Sequence, residues 1–276
     1  MKQFKIIIFA ALVCAFSCIA SIDAQSIRQN RIVSLVPSQT ELLFKLGFGK
    51  DIVGVSDFCN YPEATEKITK VGGMELNIER IMSLQPTLIL DLNSMHKRYE
   101  ILFRQLGLNY VDITINKLSD IPLAAKSIAS ILSDEKNSES FVLEWNKSIA
   151  ELNAGKPEHT PKVYLEIWDT PMQAAGPASF MGEMIEVAGG KNIITTMSDY
   201  PVVNSEHIIA ANPDIILLSY PLTNTDSIKR RPGWENIEAV KKNQIFHLDQ
   251  DLFVRPGPRN IEGLTVLRKY FSAIPR

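Results

Sequence analysis

Cysteine is scarce in this chain. There are three, Cys14, Cys18 and Cys59, too few for a disulfide framework to brace the fold. An excess of one charge is also missing, since 29 Lys+Arg stand against 31 Asp+Glu for a net charge of -2 over 276 residues. A dedicated nucleic-acid binder would show a basic surplus or patch, so that role is excluded. The apolar stretch Ile6–Ile22 is short and weak for a membrane span. Catalytic signatures are lacking too: there is no Gly-x-Ser-x-Gly elbow, no His-Glu-x-x-His and no Walker loop. Gly47-Phe48-Gly49 closes a predicted helix instead of opening one, and no third glycine follows at dinucleotide-binding spacing. The four histidines, His96, His159, His207 and His247, stand far apart with none paired at i, i+4, so spacing gives a zinc site no support.

What is present is ordinary globular material, 45% hydrophobic and 22% charged. Lys2 and Lys5 precede the apolar run Ile6–Ala15, with no acid until Asp23, which is the pattern of a secretory signal. Cleavage is expected after Ala24, giving an exported, periplasmic protein without a disulfide; a lipoprotein anchored through Cys18 is the alternative. Cys59 then remains alone and reads as a small buried apolar residue.

The rest alternates short apolar strands with helices, which implies parallel pairing buried on both faces. The predicted strands of the first half are Arg31–Pro37, Ile52–Val55, Leu88–Leu90 and Tyr110–Ile113. Ser38-Gln39-Thr40-Glu41 reads as a capping box that starts a helix ending at Gly47. Leu118–Leu152 has no glycine and helical apolar spacing, so it reads as a stiff connector of one long or two abutting helices. Strands Val163–Trp168, Ile215–Leu218 and Ile245–Leu248 follow, with helices Ser179–Ala188, Glu235–Lys241 and Asn260–Tyr270 among them. Leu76–Leu90 and Val203–Leu217, offset by 127 residues, match at six of fifteen positions, where about one is expected by chance. The expected organisation is a signal over 1–24, an α/β lobe over 25–117, a helical connector over 118–156 and a second α/β lobe over 157–276. The fold class is α/β: two Rossmann-like lobes with mostly parallel sheets joined by a long rigid helical link.

In open parallel sheets, ligands bind beyond the carboxyl ends of the strands. Aromatic residues gather there: Phe58 and Tyr61 after the second strand, Trp168 and Tyr220 at strand ends of lobe two, and Trp234 at a helix start. One such residue can simply cap its own core. Several on the same side of two lobes point to a flat, apolar or conjugated ligand held by stacking. His96 follows Leu88–Leu90 and is a weak candidate for an axial metal ligand, whereas His207 and His247 read as surface or core residues.

Phe58-Cys59-Asn60-Tyr61-Pro62, Val71-Gly72-Gly73, Leu76-Asn77-Ile78-Glu79-Arg80 and Leu84-Gln85-Pro86-Thr87-Leu88 resemble the first lobe of the cobalamin-binding proteins that serve bacterial ABC importers. Ala188-Gly189-Gly190-Lys191-Asn192-Ile193, Pro232-Gly233-Trp234-Glu235-Asn236-Ile237 and Arg255-Pro256-Gly257-Pro258-Arg259 resemble the second. These motifs mark the broader helical-backbone class, which also carries haem and siderophores. The resemblance implies a binding protein without catalysis or a prosthetic group. It implies a monomer that captures cobalamin or another corrinoid between its lobes and delivers it to the membrane subunits of an importer. Phe58, Trp168, Trp234 and Asp251 fall at positions where the class lines its cleft, with Tyr61 and Tyr220 beside them. Tryptophans that some members place near Gly73–Met74 and at Leu92 are absent, which keeps haem or a ferric siderophore open, with an exported enzyme as the remaining alternative. Glu79 and Glu206 occupy the same place in both lobes, two residues after an asparagine, and the resemblance implies that they dock on arginines of the membrane subunits. A carboxylate in a first helical turn is also favourable against the helix dipole alone, by roughly 0.3–1 kcal/mol.

Overall fold

The computed structural model describes residues 30–220 and 225–274. The expected signal, with Cys14 and Cys18, lies outside the described residues.

In lobe one, near-continuous apolar runs form β1 (Ile32–Ser34), β2 (Ile52–Val55), β4 (Leu88–Leu92) and β5 (Tyr110–Ile113), with the two-residue β3 (Thr69–Lys70) at one edge. All pair in parallel, in the order β3-β2-β1-β4-β5. Helix α1 (Pro37–Lys45) follows β1, α2 (Ile78–Ser83) leads into β4, and α3 (Glu100–Gln105) leads into β5. The chain moves outward from β1 to β3 and then returns to β4 on the other side of β1. The strand order therefore reverses between β1 and β4, where a crevice opens at the strands' carboxyl ends.

The link is two helices, α4 (Asp120–Ile131) and α5 (Lys136–Ala154), parted by a turn in which Ser133 takes a left-handed φ of 55°. They bury Ile121, Ala124, Ala125, Ile128, Phe141 and Trp145. Lobe two contains β6 (Lys162–Asp169), β7 (Met172–Ala174), β8 (Lys191–Asn192), β9 (Ile215–Leu218) and β10 (Ile245–His247). Its sheet runs β10-β9-β6-β7; β7 is antiparallel to β6, while β8 pairs with the start of β6. Helices α6 (Phe180–Val187), α7 (Ser205–Ala211), α8 (Thr225–Lys229), α9 (Glu238–Lys241), α10 (Gln250–Phe253) and α11 (Asn260–Ser272) complete it. Among the described residues no helix is long and apolar enough to cross a membrane.

Strand alternation divides the core. Val163, Leu165, Ile215 and Leu217 face one continuous cluster that runs through Ile128 and Trp145 of the link to Ile32 and Leu90 of lobe one. Tyr164, Ile216 and Leu218, the intervening residues, face a second cluster confined to lobe two. The lobes and their link therefore share one interior.

The expected capping box at Ser38 does not form. Val36 is the N-cap and makes no side-chain cap bond, and Pro37 opens the helix with its preset φ. Glu41 is turned instead toward Arg259, 218 residues away, which bonds it through Nε and Nη2 at 2.8 and 2.6 Å.

Candidate functional site

A cleft of about 550 Å³ separates the lobes at their strand ends. Leu92, Met95 and Ile115 line it from lobe one; Phe180, Tyr200 and Val254 line it from lobe two. Its polar side chains are those of Asn93, Asn116, Ser179 and Asp199, with the Tyr200 hydroxyl. Asn93 is already committed, its side chain exchanging two bonds with the backbone of Ile115. Ser179 caps α6 through Gly182 N–H at 3.0 Å. Burial, with a smaller contribution from Asp199, pushes the Tyr200 phenol up.

Three of the predicted aromatics stand at strand ends with open faces. Phe58 follows β2 and is 48% exposed. Its ring lies over Gly73, where a Cβ would come within 3.0 Å of it. Tyr61 is 45% exposed, with the Arg259 guanidinium 4.2 Å from its ring centroid. Trp168 is also 45% exposed, and its indole N–H donates to Thr170 O at 3.1 Å.

The other candidates are placed differently. Trp234 has no exposed surface; it lies in the second cluster, edge-on to Tyr164 at 6.0 Å, with its N–H on Ser205 Oγ. It cannot clamp a ligand, because its ring faces are covered by its own lobe. Tyr220 is buried with its hydroxyl donating to Glu166, and its ring centroid lies 6.0 Å from that of Trp168. It supports the surface instead of forming it. His96 is buried between Asp91 Oδ1 at 2.9 Å and the Gly73 carbonyl at 3.2 Å. The ring has no exposed surface and both its nitrogens are directed at protein atoms, so neither reaches a metal in the cleft. Among the described residues no group of three or more His, Cys, Asp or Glu is placed to hold a metal ion.

Asp251 is part of a polar bridge between the lobes. It accepts from Asn60 at 3.0 Å and pairs with Arg255 at 2.9 Å; Arg255 also reaches Asn60 Oδ1 at 2.6 Å. Arg259 completes the bridge through Glu41, and that carboxylate holds the guanidinium pKa above its ordinary value despite burial. The two arginines lie in the Arg255-Pro256-Gly257-Pro258-Arg259 motif, but sequence reading gave them no role. Met95, Tyr200 and Val254 were missed as well, since no periodicity marks an apolar loop residue as cleft-facing.

Glu79 and Glu206 are exposed on the first turns of α2 and α7. The local frames match: Asn77 Oδ1 accepts Arg80 N–H and Asn204 Oδ1 accepts His207 N–H, each at 2.9 Å.

Comparison with known proteins gives this geometry a family. An uncharacterized ABC transporter substrate-binding lipoprotein of Bacillus subtilis is 30% identical over 247 residues, covering 86% of this chain and 78% of that protein. A vitamin B12-binding protein of Vibrio vulnificus is 26% identical over 92% of this chain and 94% of its own length. Among solved structures, a possible iron-binding (periplasmic solute-binding) protein of Staphylococcus epidermidis superposes with a TM-score of 0.81 at 32% identity, covering 87% of this chain and 98% of that one. The apo form of a periplasmic heme-binding protein of Roseiflexus gives 0.80 at 26% identity, covering 88% and 98%. The periplasmic binding protein family matches residues 32–252, and the chain belongs to it, as a substrate-binding protein of the ABC importer class and not an enzyme.

Proposed function

We propose that this protein captures a corrinoid of the vitamin B12 type in the inter-lobe cleft and delivers it to an ABC importer. The observation that carries this reading is the pair of half-exposed aromatic rings, Phe58 after β2 and Trp168 near the end of β6, one from each lobe. Such a site suits a broad conjugated ring more than a small polar solute. Vitamin B12-binding relatives that align over nearly their whole length support the choice. Tyr61 and Asp251 are assigned to the same site, and Tyr220 packs behind Trp168. Delivery rests on Glu79 and Glu206, one acidic knob on each lobe, meeting basic groups of the membrane subunits and acting mainly on encounter rate and register. Export through loss of 1–24, or anchoring through Cys18, places the protein where such an importer takes up its cargo.

A chelated iron, as haem or a siderophore, is the second reading, supported by the iron- and heme-binding neighbours. The test is colour. Residues 25–276 are mixed with cyanocobalamin or haemin, desalted and scanned in the visible. Corrinoid absorbance retained at one equivalent, and reduced in Trp168→Ala, is the expected result. Retention of haemin alone overturns the corrinoid reading.

A further inference from the structure

Two residues before Trp168 in β6, Glu166 buries its carboxylate completely. Burial of a carboxylate is tolerated only when its oxygens are bonded, and here four donors converge on it. The Tyr164 hydroxyl reaches Oε2 at 2.9 Å, and the Tyr220 hydroxyl binds Oε1. Arg231 grips both oxygens, Nη1 to Oε2 at 2.6 Å and Nη2 to Oε1 at 2.7 Å. The guanidinium lies 4.6 Å from the Trp234 ring centroid, so one column runs from the buried Trp234 through Arg231 and Glu166 to Tyr220. Trp168 stands at its end.

The register explains why. Glu166 pairs with Leu218 across β6 and β9. Trp168 and Tyr220 are each two residues further on, beyond a register shift that β6 makes against β7 between Glu166 and Trp168. Their rings meet at 6.0 Å and 50°. The indole has one local restraint, its N–H on Thr170 O. Tyr220 supplies a second, and the hydroxyl–carboxylate bond decides where the Tyr220 ring sits. An apolar pair at Glu166 and Arg231 would fill the lobe equally well without fixing that ring.

We propose that Arg231, Glu166 and Tyr220 are positioning residues that hold the exposed Trp168 indole in one orientation, ready to stack on the ligand. Glu166 and Tyr220 are too buried to touch a ligand themselves and act through Trp168. The gain is preorganisation: an indole already fixed loses less freedom on binding. This inference rests on the reading that Trp168 contacts the ligand.

The chain carries its own reporter. Of its three tryptophans, Trp145 and Trp234 are 4% and 0% exposed, so iodide quenching of fluorescence reads Trp168. Tyr220→Phe keeps the ring and deletes the hydroxyl that meets Glu166 and Arg231; Arg231→Met deletes the grip on the carboxylate. Residues 25–276 carrying each change are compared with wild type and Trp168→Ala, using cyanocobalamin and haemin as probes. Tyr220→Phe is expected to raise iodide quenching, weaken the near-UV tryptophan dichroism and raise the Kd of the bound probe roughly three- to tenfold, the equivalent of one hydrogen bond. Arg231→Met should do so more strongly, with a lower melting temperature. If both variants keep wild-type quenching and dichroism, the positioning role is overturned, whatever their melting temperatures. If Trp168→Ala binds both probes as wild type does, the stacking reading fails, while quenching in the other two variants still decides whether the column positions the indole.

Discussion

Each lobe buries one carboxylate near the carboxyl end of a central strand, and the two are used to different ends. In lobe one, Asp91 of β4 accepts from the His96 ring at 2.9 Å, the His96 backbone N–H at 2.7 Å and the Tyr110 hydroxyl at 2.7 Å. Because the other ring nitrogen of His96 packs against Gly73 O at 3.2 Å, this group ties the loop after β4 to the Gly73–Met74 turn and leaves the Met74 and Met95 side chains exposed. In lobe two the Glu166 column braces an indole. Lobe one thus presents flexible thioethers beside Phe58, and lobe two presents a braced aromatic. The repeated segment, Leu76–Leu90 against Val203–Leu217, contains neither Met95 nor Trp168. Duplication accounts for the matched helices α2 and α7, and the cleft was specialised around them.

The comparison breaks most visibly at the matched helices. Glu79→Lys with Glu206→Lys should abolish uptake and remove stimulation of the importer's ATPase at low salt, with ligand affinity intact. Each single change should give a partial loss. Wild-type uptake by the double variant would reduce both glutamates to dipole partners.

Next in size is the contrast between the two tryptophans of lobe two. Trp234→Ala should cost about 3–5 kcal/mol as a core truncation. Trp168→Ala should stay within about 0.5 kcal/mol, as surface changes usually do. Urea unfolding of the empty protein measures both, and equal midpoints would mean that Trp234 is not core.

The bridge between the lobes comes third. Arg259→Met leaves Glu41 buried without its bidentate partner and should cost roughly 3 kcal/mol. Because a single core crosses the link, loss of stability should appear as one cooperative transition by every probe. Two separated transitions would show that the lobes are energetically independent.

Asp91→Asn should cost about 2 kcal/mol at pH 7, in the range of hydrogen bonds to a charged group. Burial raises the Asp91 pKa, but the bonds from His96 and Tyr110 outweigh it and hold the group below the ordinary range. A depressed carboxylate contributes stability above its unfolded value, near 3.9, and loses it as pH falls through the folded value. The gap between wild type and variant should therefore close below about pH 4; a gap unchanged by acid would contradict the assignment. The smallest effect concerns motion. X-ray scattering profiles with and without ligand should superimpose, and a radius of gyration that shrinks on binding would show hinge closure through the α4–α5 turn.

Much of this was legible in the sequence, for a physical reason. Ile52–Val55, Tyr110–Ile113 and Ile215–Leu218 match the observed strands to the residue, and Ile215–Leu218, buried at every position, shows why: a strand covered on both faces reads as a plain apolar run. The two- and three-residue strands β3, β7 and β8 were not visible, since they take their pairing from neighbours and carry no period of their own. The site was legible in place and not in direction. Trp234 and His96 were rightly put near strand and helix ends, but whether a ring turns inward depends on Ser205, Tyr164, Asp91 and Gly73, which the chain brings up from elsewhere. Glu41 shows the same limit: its spacing from Ser38 suggested a local cap, and a distant arginine claimed it.

That arginine has a consequence for assembly. Lobe one needs a cation from the residue just before α11 to neutralise a carboxylate near its own beginning. The order in which the chain is made and the order in which it can be completed are therefore different. A product that stops short of residue 255 would lose both Arg255, 3.6 Å from the Glu41 carboxylate, and Arg259, and would hold a nearly full lobe one with that buried anion unpaired, a fragment that proteases should find before any ligand does.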